Sequence, residues 1–449
     1  MFEHELHLVE QCTPMTVTGR VSHVTGLTVL ADGLLAPVGA IARITPFGGP
    51  SIDAQVVGFR STTAVLMPLR EPRGVSEGDP VTASAAMQTV PVGRQMLGCV
   101  LDGMGRVISA GEGGRDDFTV EAQYPVYTTP PAPLARRPIL KVIATGVRSI
   151  DALHTVGGGQ RMGVFAGTGV GKSVLMGMIA RNTAADVTVV SLVGERGREV
   201  GDFLRKDLGE EGRKRTVMVV STSDESPVLR VRACFVATAI AEYFRDLGRH
   251  VLLMMDSVTR VATAQREIGL AAGEPPATKG HTPSVFGLLP RLLERAGNTE
   301  RGSITGLYTV LVEGDDINEP ISDAVRGTLD GHVWLSRALA NRSHYPAVSV
   351  LESISRVMVD VTDQEHLKAA AEVRSVLAVW SEIEDLVNIG AYAKGNNVEY
   401  DVAVAMKPRI DAFLRQRIQD RVTFAESRTA LIELAREITT VRQESAVAA

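Results

Sequence analysis

The chain has 449 residues, with 47 basic against 52 acidic side chains, a net charge of −5 and only 4% aromatic residues. At roughly 100–200 residues per domain this length holds two to four domains. A hydrophobic share of 45% and a charged share of 22% exclude a disordered or fibrous chain, and the slight acidity and scarce aromatics argue against a protein built to track nucleic acid.

The first residues, Met1-Phe2-Glu3-His4-Glu5, lack the basic start and apolar core of a secretory signal. Phe2, Leu6 and Val9 stand at i, i+4 and i+7 and can form one apolar helical face, although a frayed terminus with incidental spacing reads the same way. No later stretch approaches the ~18 apolar residues of a membrane-spanning helix. Cys12, Cys99 and Cys234 are odd in number and far apart, so neither a disulfide framework nor a zinc site is expected. Together these features point to a cytosolic protein.

From about residue 15 to 87 the chain runs in short apolar segments broken by Gly and Pro, at 17–24, 27–30, 39–44, 54–59 and 63–67. Punctuation of this kind predicts a small all-β sandwich or barrel. The Pro-rich stretch 124–138 reads as an extended connector. From about 141 to 355 apolar strands alternate with helical stretches such as 228–244. The strands fall at 161–165, 187–193, 216–221, 251–255, 304–312 and 332–335, which predicts a mainly parallel sheet covered on both faces. After Asp360, segments 365–384, 402–419 and 425–442 carry apolar residues at helical spacing. The expected division is therefore a β-barrel at 1–92, an α/β core at 93–360 and a helical domain at 361–449.

The residues Ala166-Gly167-Thr168-Gly169-Val170-Gly171-Lys172-Ser173 follow an apolar strand and precede an amphipathic helix expected at 174–181. This is the context of a P-loop, in relaxed form because Ala166 stands where the strict pattern has Gly. Its glycines let backbone N–H groups turn toward phosphates, Lys172 reaches the β- and γ-phosphates, and the Ser173 hydroxyl ligates Mg²⁺. The alternative is a plain glycine-rich turn. The strand 251–255 ends in Asp256, where P-loop hydrolases keep an acid for Mg²⁺, although a helix-capping Asp looks the same. Glu195 and Arg196 follow strand 187–193. A carboxylate there can orient the attacking water while the arginine offsets phosphate charge, and an acid favoured by a helix dipole is the bland reading.

Taken together, AGTGVGKS (166–173), VGERGREV (193–200), VLLMMDSVTR (251–260), GEPPATKGHTPSVF (273–286) and VEGDDINEP (312–320) resemble the type III protein-export ATPases, relatives of the F-type and V-type rotary ATPases. The resemblance runs from about residue 17 to 416, and AGTGVGKS and GERGREV look more like the flagellum-specific branch than the virulence injectisome branch. It implies a RecA-like P-loop core between barrel and helical domain, binding ATP and Mg²⁺ through residues 166–174, with Val174 closing that run. Glu195, Lys172 and Arg196 would be catalytic. Tyr345, in Tyr345-Pro346-Ala347-Val348-Ser349, would stack on adenine, and Arg356, in Ser353-Ile354-Ser355-Arg356, would be an arginine finger. Ser349 departs from the Asp, Asn or His usual there. The implied protein is a homohexameric ring that energises unfolding and export of flagellar proteins at the inner-membrane export apparatus. Its implied partners are a negative-regulator dimer at the N-terminus, a coiled-coil stalk facing the Gly/Pro-rich loop 268–286, export-gate membrane proteins, cargo and chaperones, with no nucleic acid. Competing readings are an injectisome ATPase, a rotary catalytic subunit, a Rho-like helicase and a non-hydrolysing ring subunit. The last would carry Gln in place of Glu195, and the rotary subunit an acidic C-terminal run that this chain lacks.

Overall fold

The computed structural model describes residues 16–84, 88–110, 118–312, 314, 316 and 318–448. The face carried by Phe2, Leu6 and Val9 lies outside the described residues, as do Glu313, Asp315 and Ile317 of VEGDDINEP.

Six strands, β1 (Thr16–Thr25), β2 (Thr28–Asp32), β3 (Ile41–Ile44), β4 (Ile52–Arg60), β5 (Thr63–Pro68) and β6 (Pro80–Ser84), close into a barrel in the order β1-β2-β5-β4-β3-β6. Alternation fills it: Ile52, Ala54 and Val56 of β4 are buried and the residues between them are not. In β5 both faces are covered, because Ala64 and Leu66 fill the barrel while Met67 packs outward against Val228 of the core. The sixth strand was not foreseen, since it opens on Pro80 after the turn residues Gly78 and Asp79; a proline is tolerated as the first residue of a strand.

The remaining strands are β7 (Thr89–Val92), β8 (Val100–Leu101), β9 (Val107–Ser109), β10 (Ala122–Pro125), β11 (Arg161–Ala166), β12 (Val187–Glu195), β13 (Thr216–Thr222), β14 (His250–Asp256), β15 (Gly297–Asn298), β16 (Ser303–Leu311), β17 (Gly331–Leu335) and β18 (Val348–Ser355). Except for β7 and β10, which pair with each other, they build one sheet in the order β18-β17-β11-β16-β14-β12-β13-β8-β9, with β15 beside β16. The strands from β17 to β8 run parallel, while β18 and β9 are antiparallel edges. All nine residues of β12 are buried, as expected of a parallel strand covered on both faces. Helix Pro227–Asp246 covers one face and helix Lys172–Asn182 the other, each within its own apolar cluster.

Helices Gln364–Asn388, Val398–Leu414 and Phe424–Ala448 pack together around Val373, Val402, Ile410, Leu431 and Ile438, and against Ala152 and Leu153 of the core. Asp363 and Asn397 cap the first two by accepting backbone N–H bonds. Among the described residues no helix is long and apolar enough to cross a membrane.

Three expectations need correction. The stretch 124–138 is not wholly a connector, because Tyr124 and Pro125 belong to β10 and Pro133–Ala135 forms a 3-10 turn. Segment 268–286 is irregular only in its middle: helix Val258–Ala272 enters it and stops at Gly273 with φ of 95°, and helix Pro283–Leu293 leaves it. The helix expected at 402–419 stops at Leu414, because the backbone N–H of Gln416 donates to the Tyr345 carbonyl, a bond that takes the chain away from the helix axis.

Candidate active site

Strand β11 ends at buried Ala166, and the chain turns through Gly167, Thr168, Gly169 and Val170 into helix Lys172–Asn182. Gly169 (φ 82°) and Gly171 (φ 96°) occupy the left-handed region that favours glycine. Val170 is buried and anchors the turn from below, while Thr168, Gly169, Ser173 and Val174 are exposed above it. No side chain caps this helix, so its first N–H groups are left for a ligand, with the helix dipole adding positive potential. Arg337 donates to the Thr168 carbonyl at 3.1 Å and braces the turn from the far side.

Beside the turn, β12 and β14 both end at the same edge of the sheet and deliver Glu195 and Asp256. The Lys172 ammonium is bonded to Asp256 Oδ1 and stands 3.9 Å from Glu195 Oε1. Thr309 of β16 donates its hydroxyl to Asp256 Oδ1 at 2.7 Å, and Arg260 Nε lies 3.8 Å from Glu195 Oε1. Burial, with the Glu199 carboxyl and the charge of Asp256 beside it, pushes the Glu195 carboxyl up to about 7 against the opposing pull of Lys172 and Arg260. A carboxyl poised there exchanges protons near neutrality, as a general base must.

Tyr345 lies against the same turn, since a side chain at Gly171 would touch its ring at 3.6 Å. It is half exposed and lines a cavity of about 820 Å³ that opens beside Gly169, Gly171 and Val174. The cavity's far wall is the segment 415–420, which sequence reasoning took for the end of a helix. Gln416 fixes that wall: its side chain accepts from Arg148 N–H and donates to the Gly146 carbonyl, each at 2.8 Å.

Not every expected residue meets here. Arg196 is exposed and has Glu199 at 3.9 Å. Arg356 follows β18, whose last residue Ser355 pairs with Gly331, and Gly331 pairs with Met162 near the start of β11. The P-loop follows the other end of β11, so Arg356 lies at the opposite edge of the sheet from its own chain's Lys172. Asp316 of VEGDDINEP has Lys279 of the loop 273–282 at 3.6 Å. Sequence reasoning missed Thr309, Gln416 and the position of Arg260; only Arg260 carried a signal, one helical turn beyond Asp256.

The donors suit a hard cation. Ser173 offers a hydroxyl and Asp256 a carboxylate beside the orphaned N–H groups, while among the described residues no cluster of three His, Cys, Asp or Glu side chains could hold a metal alone. That set fits an ion such as Mg²⁺, which is typically bound by one or two protein oxygens and completed by phosphate and water.

Residues 146–355 match the ATP synthase alpha/beta family, nucleotide-binding domain, and residues 362–433 the T3SS EscN ATPase C-terminal domain. The flagellum-specific ATP synthase of Bacillus subtilis (strain 168) is 51% identical, covering 93% of this chain and 94% of its own. The type 3 secretion system ATPase of Xanthomonas euvesicatoria is 48% identical, covering 89% of each. The assembled ATPase EscN in complex with its central stalk EscO, from the enteropathogenic E. coli type III secretion system, superposes with a TM-score of 0.85 at 40% identity, covering 93% of this chain and 100% of that one. With the glycine turn, the two strand-end carboxylates and the neighbouring cavity in one place, the chain belongs to the family of flagellum-specific ATP synthases and type 3 secretion ATPases, related to the ATP synthase alpha and beta subunits.

Proposed function

We propose that this ATPase is the Mg²⁺-dependent ATP hydrolase of a flagellar protein-export apparatus, working as a homohexameric ring that energises unfolding and export. The observation that carries the chemistry is the convergence of Lys172, Glu195 and Asp256 beside an uncapped glycine turn. The turn's N–H groups and Lys172 bind the phosphates, and Ser173 and Asp256 hold Mg²⁺. Bound Mg²⁺ neutralises charge on the phosphate oxygens. Glu195, as the carboxylate, accepts a hydrogen bond from the attacking water and orients it. Tyr345 stacks on the base in the cavity closed by 415–420.

The flagellar rather than injectisome assignment rests on the greater identity to the flagellar relative, 51% against 48%, and on the AGTGVGKS and GERGREV motifs. The ring and a central stalk are proposed by analogy with the assembled EscN relative and its stalk, and the stalk is taken to be a coiled coil that contacts the Gly/Pro-rich loop 268–286. A regulator dimer at the N-terminus, export-gate membrane proteins, cargo and chaperones complete the setting, on the cytoplasmic side of the inner membrane. The domains divide near residues 92 and 360.

Glu195→Gln tests the chemistry. It should bind Mg²⁺-ATP as the parent does and lose about 10²–10⁴ in turnover, whereas Lys172→Ala loses binding as well. Turnover of Glu195→Gln within about tenfold of the parent would move catalysis to another residue. Deleting the gene should abolish flagella; an intact flagellum with lost effector secretion would give the chain to an injectisome.

A further inference from the structure

Asp256 receives two hydrogen-bonding groups, and both reach the same oxygen. Oδ1 takes the Lys172 ammonium and, at 2.7 Å, the hydroxyl of Thr309. Both side-chain hydrogen bonds thus fall on Oδ1, with none to Oδ2 among the described residues. Thr309 is fully buried in β16, and its neighbour Tyr308 pairs with Met255, so the register sets Thr309 beside Asp256. At the start of the next helix, Thr259 ties that helix to β16: its hydroxyl accepts from Leu311 N–H at 2.9 Å. The strand that carries Thr309 is thereby fixed against the strand and helix that flank Asp256.

We infer that Thr309 is a positioning residue for the metal-facing carboxylate. Its O–H holds Oδ1, fixes the rotation of the carboxylate and leaves Oδ2 open toward the phosphate side. This rests on the reading of Asp256 as the carboxylate that holds Mg²⁺. A buried hydroxyl needs some partner in any case. Thr309 meets that need with a charged carboxylate, through a charge-assisted bond stronger than a neutral one. When Lys172 turns to phosphate, Thr309 remains the group that keeps Asp256 oriented.

The test compares binding of ADP with Mg²⁺ and ADP in EDTA, by calorimetry, so that it does not depend on turnover. In the parent protein Mg²⁺ should tighten ADP binding. Thr309→Val removes the donor and keeps the shape; it should reduce that metal-dependent gain by about 10–100-fold, the usual effect of removing a partner of a ligating group. Binding in EDTA should not change. Thr309→Ser keeps the donor and should retain the gain. If the valine variant does not fold, Thr309→Ala removes the donor without adding bulk and carries the same expectation. An undiminished gain in Thr309→Val or Thr309→Ala overturns the inference, as does an equal loss in Thr309→Ser, which would assign the effect to packing of the methyl group. If the parent itself gains nothing from Mg²⁺, the failure lies with the metal reading of Asp256.

Discussion

Arg260 has room beside Glu195 because Gly194, the residue before it in β12, has no side chain. Gly194 has φ of 68°, and a Cβ there would stand 2.6 Å from Cδ of Arg260. Gly194→Ala should cost about 1–3 kcal/mol of stability through the left-handed backbone. It should also push Arg260 away from Glu195 and depress turnover. Unchanged urea unfolding and unchanged hydrolysis together would show that the turn relaxes at no cost. The same site shows what a sequence can and cannot disclose. The meeting of Lys172 with Asp256 could be expected from local rules, a helix start after a glycine turn and a strand end, whereas Glu195 stood out only through the family resemblance. Thr309 was not legible: within the run Ser303–Leu311 it reads as one more buried strand residue. Its meaning comes from β16 lying beside β14, a pairing that hydrophobic pattern does not specify. Gln416 was hidden for a related reason, since helical spacing continued through a position that tertiary hydrogen bonds pull out of the helix.

The short helix Arg148–Leu153 is the element on which the sheet and the helical domain meet. His366 Nε2 donates to the Ala152 carbonyl at 2.7 Å, Arg374 donates to the Leu153 carbonyl, and Arg148 donates from its side chain to the Phe413 carbonyl at 3.0 Å. Two buried titratable groups at this joint respond to pH in opposite directions. Burial raises Asp151 from 3.8 to about 6, against three hydrogen bonds from Thr145 and Gly146. The folded chain then holds a proton that the unfolded chain releases, so this contribution to stability falls as pH rises from 3.8 toward 6. Burial, with Arg374 and His332 nearby, lowers His154 from 6.5 to about 3. Here the unfolded chain takes up a proton that the folded chain refuses, so stability falls as pH drops below 6.5. His154→Leu removes only the second effect. Relative to the variant, the parent should lose up to about 1.4 kcal/mol per pH unit on acidification below the histidine range. Urea midpoints of parent and variant, compared between about pH 7 and pH 5, check this. A constant difference would show that His154 is not held neutral. The sequence placed helices in the C-terminal region by their period, but not this joint, whose contacts link residues more than two hundred positions apart.

At the scale of the whole molecule the question is where the positive charge for the transition state comes from. Within one chain, Lys172 faces the phosphate turn, Arg196 projects from the start of the next helix, and Arg356 stands at the far edge of the sheet beyond β18. An arginine there cannot serve its own P-loop, but in a head-to-tail ring each subunit presents one edge to the next. Lent in this way, Arg356 would complete the neighbouring site with a planar fork of donors, an addition worth about 10³–10⁵ in rate in related chemistry. Hydrolysis would then depend on assembly, and specific activity should rise more than linearly with protein concentration while subunits are joining. Mixing two inactive variants gives the sharper test. Arg356→Ala subunits keep an intact P-loop, and Lys172→Ala subunits keep an intact arginine, so a mixed ring contains some interfaces where the two intact halves face each other. Activity should reappear on mixing and follow the statistical share of those interfaces. Absence of any recovery in rings shown to be mixed would count against a shared site, and full activity of a verified monomer, or of Arg356→Ala alone, would exclude it.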